Sequence, residues 1–382
     1  MFDPETLIRS HIQEMAPYEP ILPFEVLSRQ LHRSPQEIIK LDANENPYGP
    51  LQAVREALER MPFPNVYPDP GSQELRRALA EYHRLPNENL LTGAGADELI
   101  DLIFRLVVDP GDAVIDCPPT FGMYAFDGDL SAARLLQVPR RADFSLDIAA
   151  VEAAVRREKV KAVFVANPNN PDGSLLAPDV IERLLALPAL IVLDEAYMEF
   201  ASPGASRLTA VPRRNNLIVL RTFSKWAGLA GLRVGFGAFP AKLMPHLWKI
   251  KQPYNVSVAA STAAIVSLQH SRELNEIGRR IVAERERLYE ALRSIGFLEP
   301  YPSQANFILC RVIGRDAAAL KQVLARQGIL VRYFNKPGLR DCLRISVGKP
   351  EHTDALLSAL KKLEPAAARR ALSGGGEQSE TP

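Results

Sequence analysis

The stretch 217–235, LIVLRTFSKWAGLAGLRVG, opens with four consecutive apolar residues and continues into a run of small and polar ones. A continuous apolar run without polar alternation is typical of a strand that is buried on both faces of a parallel sheet. Strand-like runs at 113–117, 162–166 and 190–193 alternate with helix-length segments in the same way. This alternation predicts an α/β domain in which helices cover a mostly parallel central sheet.

The remaining segments differ in composition from this α/β region. Beyond about residue 275 a long charged helix leads to strand-like residues 305–312 and 342–347, which predicts a smaller α+β domain. The proline-rich start predicts an extended arm with one short helix. We expect an N-terminal arm over 1–40 that packs with the smaller domain, a large domain over 41–280, the smaller domain over 281–365 and a disordered tail over 366–382.

Charge and composition argue against several kinds of partner. The 46 basic and 45 acidic side chains nearly cancel, so no net field favours nucleic acid or an anionic membrane surface. No apolar run reaches the length that crosses a bilayer, and the N-terminus lacks the pattern of a secretion signal. Three scattered cysteines without CxxC spacing favour neither disulfides nor a metal site, and predict a reducing, cytoplasmic location.

Polar residues follow successive strands of the predicted sheet, at the edge where open parallel sheets bind ligands. In the stretch 217–235, Lys225 lies among small and apolar residues, after Thr222 and Ser224 and before Arg233. This pattern suits a lysine that binds pyridoxal phosphate covalently beside the cofactor's phosphate group. A surface lysine explains a lone Ser-Lys pair more often, but the whole run favours the cofactor.

Three residues at neighbouring strand ends suit the cofactor ring. Asp194 is predicted to keep the pyridine nitrogen protonated, and Asn167 and Tyr197 to hydrogen-bond the phenolic oxygen. Phe121, which follows the run 113–117, is predicted to stack on the ring. The ordinary alternatives are a helix-capping acid for Asp194 and core aromatics for Tyr197 and Phe121.

The cofactor phosphate needs fixed donors. Ala96 and Asp97 open a predicted helix, so their backbone amides can point at an anion, and Thr222, Ser224 and Arg233 complete the set. The preceding Gly-Ala-Gly at 93–95 lacks the third glycine of a dinucleotide fingerprint, which argues against a nicotinamide cofactor.

Two arginines near the C-terminus are candidates for an anionic substrate. Arg344 is flanked by strand-forming apolar residues, and Arg332 follows a similar run at 328–331. A buried arginine is costly without an anionic partner, so we expect Arg344 to contact the substrate. A structural salt bridge is the alternative.

With these motifs the sequence resembles the fold-type I pyridoxal-phosphate aminotransferases, and among them the histidinol-phosphate aminotransferase family. The resemblance runs from the stretch 41–50, LDANENPYGP, through 117–124, CPPTFGMY, and the lysine run to Arg344. It implies that Lys225 binds the cofactor and also moves the proton at the substrate's Cα. The remaining cofactor contacts that it implies are Ala96, Asp97, Phe121, Asn167, Asp194, Tyr197, Thr222, Ser224 and Arg233.

The same resemblance implies the substrates and the assembly. Arg332 and Arg344 would bind the phosphate ester of histidinol phosphate and also serve glutamate and 2-oxoglutarate, with Asn167 beside the substrate. Tyr18 in the arm would help to close the site. Tyr67 of the partner subunit, in a Tyr-Pro motif, would reach the cofactor phosphate across a homodimer interface.

The sequence departs from the family in two places. Phe121 stands where the family often has tyrosine, and Asp172 precedes Gly173 where Thr-Gly is usual. Three other functions stay open: an aromatic amino acid aminotransferase, a threonine-phosphate decarboxylase, and a binding protein without turnover. The intact Lys225, Asp194 and Arg233 argue against the last of these.

Overall fold

The computed structural model describes residues 2–18 and 20–364. The predicted tail over 366–382 therefore lies outside the described residues. The strands are β1 (Ile39–Leu41), β2 (Leu90–Gly93), β3 (Ala113–Asp116), β4 (Arg134–Gln137), β5 (Val160–Ala166), β6 (Leu190–Asp194), β7 (Leu217–Thr222), β8 (Gly235–Ala238), β9 (Leu298–Pro300), β10 (Phe307–Val312), β11 (Ile329–Tyr333) and β12 (Cys342–Ser346). The α-helices are α1 (Ser10–Glu14), α2 (Phe24–Leu31), α3 (Gln52–Glu59), α4 (Gln73–His83), α5 (Ala96–Val107), α6 (Met123–Leu130), α7 (Ile148–Arg157), α8 (Pro178–Leu185), α9 (Met244–Ile250), α10 (Val258–Gln269), α11 (Ser271–Arg293), α12 (Ala317–Arg326) and α13 (Pro350–Lys362).

The larger sheet has seven strands in the order β2-β8-β7-β6-β5-β3-β4. The pairs from β7 through β4 are all parallel, whereas β8 is antiparallel to both of its neighbours. The predicted α/β fold with a mostly parallel central sheet is confirmed. The antiparallel strand β8 was not predicted, because its Gly235 and Gly237 weaken a strand signal.

The continuous apolar runs arise because both faces of this sheet are covered. Along β7, Leu217 and Val219 enter a core on one face, and Ile218 and Leu220 enter a core on the other. Helices α3, α4 and α10 contribute to the first core, and α5 and α9 to the second. A strand with two buried faces carries no polar alternation, as the sequence pattern indicated.

The smaller sheet has five strands in the order β1-β11-β12-β10-β9. Its pairs are antiparallel except β1 with β11. One face packs against α11, α12 and α13 around Leu292, Leu324 and Leu356. This is the predicted smaller α+β unit, although β1 comes from far earlier in the chain. The residue boundaries of arm and domains stay predictions.

The N-terminal segment contains two α-helices, α1 and α2, so the expectation of one short helix was wrong. The second helix follows Pro23 and forms because its apolar side can pack: Leu27 lies in a small core with Ile38 and Leu330 of β11. Within the described part of the chain, no helix has both the length and the hydropathy that crossing a membrane requires.

The two sheets meet where the polar strand ends of the larger one lie. Strand β1 leads directly into residues 42–46, and β12 carries Arg344. The backbone carbonyl of Asp42 accepts a hydrogen bond from Arg344 at 2.7 Å, and that of Ala43 accepts one from Lys225 at 3.3 Å. The fold therefore brings the smaller sheet against the lysine loop that follows β7.

Candidate active site

Asp194 ends β6 with its carboxylate buried, and both oxygens are held. The Tyr124 hydroxyl donates to Oδ2 at 2.7 Å, and the Ala196 backbone N–H donates to Oδ1 at 3.0 Å. Burial raises the pKa of Asp194 to about 6, and the Tyr124 hydrogen bond opposes that rise. In the part of the chain that the structure describes, no cation lies at hydrogen-bond distance from this buried carboxylate, so it suits a protonated nitrogen on a ligand.

Asn167 follows β5 and leaves one amide donor free. Its Oδ1 accepts from the Leu176 backbone N–H at 2.8 Å, which fixes the amide orientation. Its Nδ2 is buried and has no partner among residues 2–18 and 20–364. A buried unpaired donor costs about 1–3 kcal/mol, so the site fits a ligand oxygen at this position.

Lys225 lies in the loop after β7, between the two sheets. Its Nζ is 5.9 Å from the centre of the Tyr197 ring. Burial lowers the pKa of Lys225 to about 8, and the Arg344 guanidinium lowers it further. A lysine with this pKa has an appreciable unprotonated fraction at neutral pH, which a nucleophile and a proton carrier both require.

Thr222, Ser224 and Arg233 come together as the sequence predicted. The Thr222 hydroxyl donates to Ser224 Oγ at 2.8 Å, and Arg233 Nη1 donates to the same oxygen at 3.3 Å. Arg233 Nη2 donates to Asp97 at 2.9 Å. These donors lie beside the first turn of α5, where backbone N–H groups have no partner within the helix. Hydroxyls, guanidinium and helix start form a cup that fits a phosphate group.

Gly95, directly before α5, is required by this cup. Its φ is +87°, a conformation that glycine adopts readily and other residues avoid. A Cβ there would lie 2.5 Å from Arg233 Nη2. Any side chain at this position would therefore displace the guanidinium from the helix start.

Arg344 and Arg332 are paired residues on the adjacent strands β12 and β11. Arg344 is 4% exposed and donates to the Asn170 side-chain oxygen at 2.6 Å as well as to Asp42. Its Nε has no partner within the described residues. Burial lowers the pKa of Arg344 to about 10, and the charge of Arg332 adds to this effect. In the part of the chain that the structure describes, neither arginine forms an ion pair, so the pair is open to an incoming anion.

A family model described as "Aminotransferase class I and II" matches residues 36–360. The chain belongs to this aminotransferase family. Among curated relatives, "Histidinol-phosphate aminotransferase 1, chloroplastic" of Arabidopsis thaliana is 54% identical, over 94% of this chain and 86% of that protein. "Histidinol-phosphate aminotransferase" of Roseiflexus castenholzii is 52% identical, over 94% of this chain and 98% of that protein. The predicted family and enzyme class are confirmed.

Solved structures agree with this assignment. Histidinol-phosphate aminotransferase from Sinorhizobium meliloti, in complex with pyridoxal-5'-phosphate, has a TM-score of 0.85 and 32% identity, covering 96% of this chain and 98% of that one. L-threonine-O-3-phosphate decarboxylase from Porphyromonas gingivalis has a TM-score of 0.75 and 25% identity, covering 85% and 99%. The fold is therefore shared by enzymes with different named reactions.

Two aromatic candidates of the aminotransferase site, Phe121 and Tyr18, lie close to α6. Phe121 packs its ring against the edge of Tyr124 with 5.7 Å between centres. Tyr18, from the arm, is 6.2 Å from the Phe126 ring and lies beside Gly122, the residue after Phe121. Both are thus close to the loop that precedes α6. Their predicted contacts with cofactor and substrate stay predictions.

Tyr67 lies in the loop between α3 and α4. Its side chain is 79% exposed and stacks on Tyr254 with 4.7 Å between ring centres. The neighbouring Phe63 and Val66 are also exposed. Exposed aromatics of this kind are typical of protein interfaces. The predicted contact between Tyr67 of the partner subunit and the cofactor phosphate stays a prediction.

Two residues of the aminotransferase site were missed by the sequence reasoning. Asn44 donates from Nδ2 to the Tyr197 hydroxyl at 3.1 Å, and Tyr124 holds Asp194. Both lie within the stretches 41–50 and 117–124, on which the resemblance to the family rests, but neither was predicted as a site residue. Asn44 has a left-handed φ of 56°, a conformation for which asparagine is favoured.

Proposed function

We propose that this aminotransferase uses pyridoxal phosphate to transfer an amino group reversibly between histidinol phosphate and 2-oxoglutarate. The products are imidazole-acetol phosphate and glutamate, a step of histidine biosynthesis. The named activity of the curated relatives supports this proposal. The observation that carries it is the pair Arg332 and Arg344, two guanidiniums on adjacent strands that form no ion pair with a carboxylate of the described residues.

The residues present fit the proposed cofactor. A phosphate matches the cup of Thr222, Ser224 and Arg233, and a ring oxygen matches the unpaired Asn167 Nδ2. A protonated ring nitrogen matches the Asp194 carboxylate. When bound, pyridoxal phosphate supplies an electron-withdrawing ring that makes the proton on the substrate's Cα acidic.

Lys225 and Asp194 then divide the chemistry between them. Lys225 Nζ would take the proton from the Cα of the amino donor and deliver it to C4′ of the bound cofactor, and in the second half-reaction it would move a proton back to the Cα of the amino acceptor, which its lowered pKa allows. Asp194 stays anionic because Tyr124 and the Ala196 backbone N–H stabilise its charge. A protonated nitrogen opposite Asp194 would lower the pKa of the carboxyl from its raised value of about 6.

The arginine pair orients the substrate through its anionic end. A phosphate monoester carries up to two negative charges near neutral pH and matches two guanidiniums better than a single carboxylate does. Arg344 is prepared for this role because Asn170 and Asp42 hold two of its nitrogens with neutral oxygens. Because no carboxylate within residues 2–18 and 20–364 forms an ion pair with Arg344, its charge remains available to the substrate.

We also propose that the aminotransferase is a homodimer and that it acts in the cytoplasm. The exposed aromatic residues Phe63, Tyr67 and Tyr254 support a partner surface on this side. The cytoplasmic location is inferred from the amino-acid composition. Several plant relatives carry "chloroplastic" in their names.

The test is a single turnover of the purified pyridoxal form. The protein is mixed separately with histidinol phosphate, phenylalanine and threonine phosphate, and the conversion of the visible absorbance band is followed. The proposal requires the fastest conversion with histidinol phosphate. Faster conversion with phenylalanine would make the protein an aromatic aminotransferase, and release of carbon dioxide from threonine phosphate would make it a decarboxylase.

A further inference from the structure

Asn44 connects the smaller sheet to Tyr197 through a buried chain of hydrogen bonds. The Asn44 backbone N–H donates to Ser346 Oγ at 2.8 Å, and the Ser346 hydroxyl donates to Asn44 Oδ1 at 2.8 Å. Asn44 Nδ2 then donates to the Tyr197 oxygen at 3.1 Å. These residues are 1%, 2% and 6% exposed, so water does not compete for the donors.

The directions of these bonds form one consistent set. The Asn44 backbone N–H donates to Ser346 Oγ, and the Ser346 hydroxyl hydrogen is donated to Asn44 Oδ1. In this orientation of the amide, Nδ2 faces Tyr197. The Tyr197 oxygen therefore acts as an acceptor toward Asn44.

The hydroxyl hydrogen of Tyr197 is then left for another group. Burial raises the pKa of Tyr197, so the hydroxyl keeps its hydrogen at neutral pH. Among residues 2–18 and 20–364, no acceptor for that hydrogen lies within hydrogen-bond distance. The Tyr197 ring packs edge-to-face with the Phe307 ring, with 5.0 Å between the ring centres. The hydroxyl hydrogen is therefore left for a ligand, and Lys225 Nζ lies 5.9 Å from the centre of the Tyr197 ring.

We propose that Asn44 is a positioning residue that directs the Tyr197 hydroxyl hydrogen to the phenolic oxygen of bound pyridoxal phosphate. This inference rests on the proposed function. Asn44 is well suited to the position because its φ of 56° is left-handed, and because Asn306 Nδ2 anchors its carbonyl at 2.9 Å. A hydrogen bond to the phenolic oxygen favours the anionic form of that oxygen. This lowers the pKa of the imine nitrogen that would join Lys225 to the cofactor.

The test is a spectrophotometric pH titration of the resting holoenzyme. It measures the pKa of the imine nitrogen without any turnover. In Asn44→Asp a carboxylate oxygen replaces Nδ2 and accepts the Tyr197 hydrogen, so the cofactor oxygen loses its donor. We expect the pKa to rise by about one unit, a tenfold change in proton affinity. In Ser346→Ala, where only the orienting hydroxyl is lost, we expect a smaller rise.

Two comparisons separate this effect from added charge. The Tyr197→Phe variant has no hydroxyl to redirect. In that background, Asn44→Asp should therefore change the pKa of the imine nitrogen no more than the charge control Asn46→Asp does. Asn46 lies in the same loop, is also buried, and donates to the Trp226 carbonyl at 2.8 Å instead of to Tyr197. The other charged groups that act on Lys225 are unchanged in every variant: Glu45, Asp97, Arg233 and Arg344.

Equal shifts for Asn44→Asp in the wild-type and Tyr197→Phe backgrounds would overturn the proposal. If Asn44→Asp does not fold, Asn44→Gly keeps the left-handed backbone and removes the amide; an unchanged pKa in that variant would also overturn it. The proposed function is tested separately by the wild-type protein. If that protein lacks a visible band that borohydride removes, the proposed function itself is wrong.

Discussion

The two arginine sites of this aminotransferase are built in opposite ways. Arg233, beside the larger sheet, is nearly half exposed and already paired with Asp97 at 2.9 Å. Arg344, on the smaller sheet, is almost fully buried, and the hydrogen bonds that it makes with described residues are to the neutral oxygens of Asn170 and Asp42. The cofactor half of the site is therefore close to charge balance, whereas the substrate half carries uncompensated positive charge.

This difference teaches which ligand each half is made for. A cofactor that stays bound can share its arginine with a resident carboxylate, because hydroxyls and a helix start supply the remaining donors. A substrate must be bound and released in every cycle, so its anion has to supply the missing charge itself. Lys225 lies between the two halves and is affected by both, since Arg344 as well as burial lowers its pKa.

The largest expected effect is the loss of Lys225. Lys225→Ala removes the amine that we propose binds the cofactor covalently and moves the Cα proton, so turnover should fall by at least about 10²–10⁴-fold. The fold should survive, because the Lys225 side chain makes one hydrogen bond to the protein, to Ala43. Steady-state kinetics and a thermal melt check both statements. Turnover at the wild-type rate would refute the assignment.

The second largest effect is expected for Arg344→Gln, which should impair reaction with the substrate without weakening cofactor binding. It removes the buried cation that we propose binds the substrate phosphate, so we expect kcat/KM for histidinol phosphate to fall by an amount that corresponds to about 2–5 kcal/mol of transition-state free energy. The dissociation constant of pyridoxal phosphate should hardly change. Arg332→Gln is the matched control on the neighbouring strand, and its effect should be smaller because Arg332 is less buried. A larger loss of cofactor affinity than of kcat/KM would contradict the division.

Arg233→Gln should give the reverse pattern with a smaller effect. Asp97 already shares this guanidinium and water reaches it, so we expect the cofactor to bind about 1.5 kcal/mol more weakly, roughly tenfold. KM for histidinol phosphate should stay unchanged at saturating cofactor. Arg141→Gln, which breaks a similarly exposed pair with Asp147, serves as the control. Equilibrium titration of the apoprotein measures the change, and a KM effect without an affinity effect would argue against the cup.

The smallest effect is a shift in a pH profile. Only unprotonated Lys225 can capture pyridoxal phosphate, so the capture rate of the apoprotein should rise about tenfold per pH unit below its pKa of about 8 and level off above it. Arg344→Gln removes a neighbouring positive charge, which raises the pKa and moves the inflection to higher pH. Stopped-flow mixing across pH measures this. A wild-type rate that still rises beyond pH 10 would show that the lysine is not perturbed.

The parts of the site that could be predicted lie close together in the sequence or at strand ends. The runs ending at 166, 193 and 220 located β5, β6 and β7, so Asn167, Asp194 and the lysine loop followed from the geometry of parallel sheets. Thr222, Ser224 and Arg233 lie within twelve residues of one another, and the structure brings them together. A local sequence pattern is sufficient to predict site residues that contact one another within a single loop.

The parts that were missed depend on contacts between distant segments. Asn44 reaches Tyr197 only because β1 pairs with β11, and nothing in the three residues of β1 indicates that partner. Tyr124 reaches Asp194 across two strands, and the short helix α6 that carries Tyr124 gives no local sign of that contact. Pairing of remote strands depends on the whole fold, so these two hydrogen bonds could not be read from local sequence.

The most direct test of the central claim compares histidinol phosphate with histidinol in the wild-type enzyme. The two donors differ only in the phosphate, so the ratio of their single-turnover rate constants, measured at concentrations well below saturation, isolates the contribution of the arginine pair. Two charge-assisted contacts of about 1.5 kcal/mol or more each predict a ratio of at least roughly a hundredfold. Equal rate constants would contradict the account, because they would show that Arg332 and Arg344 do not bind the substrate's anion.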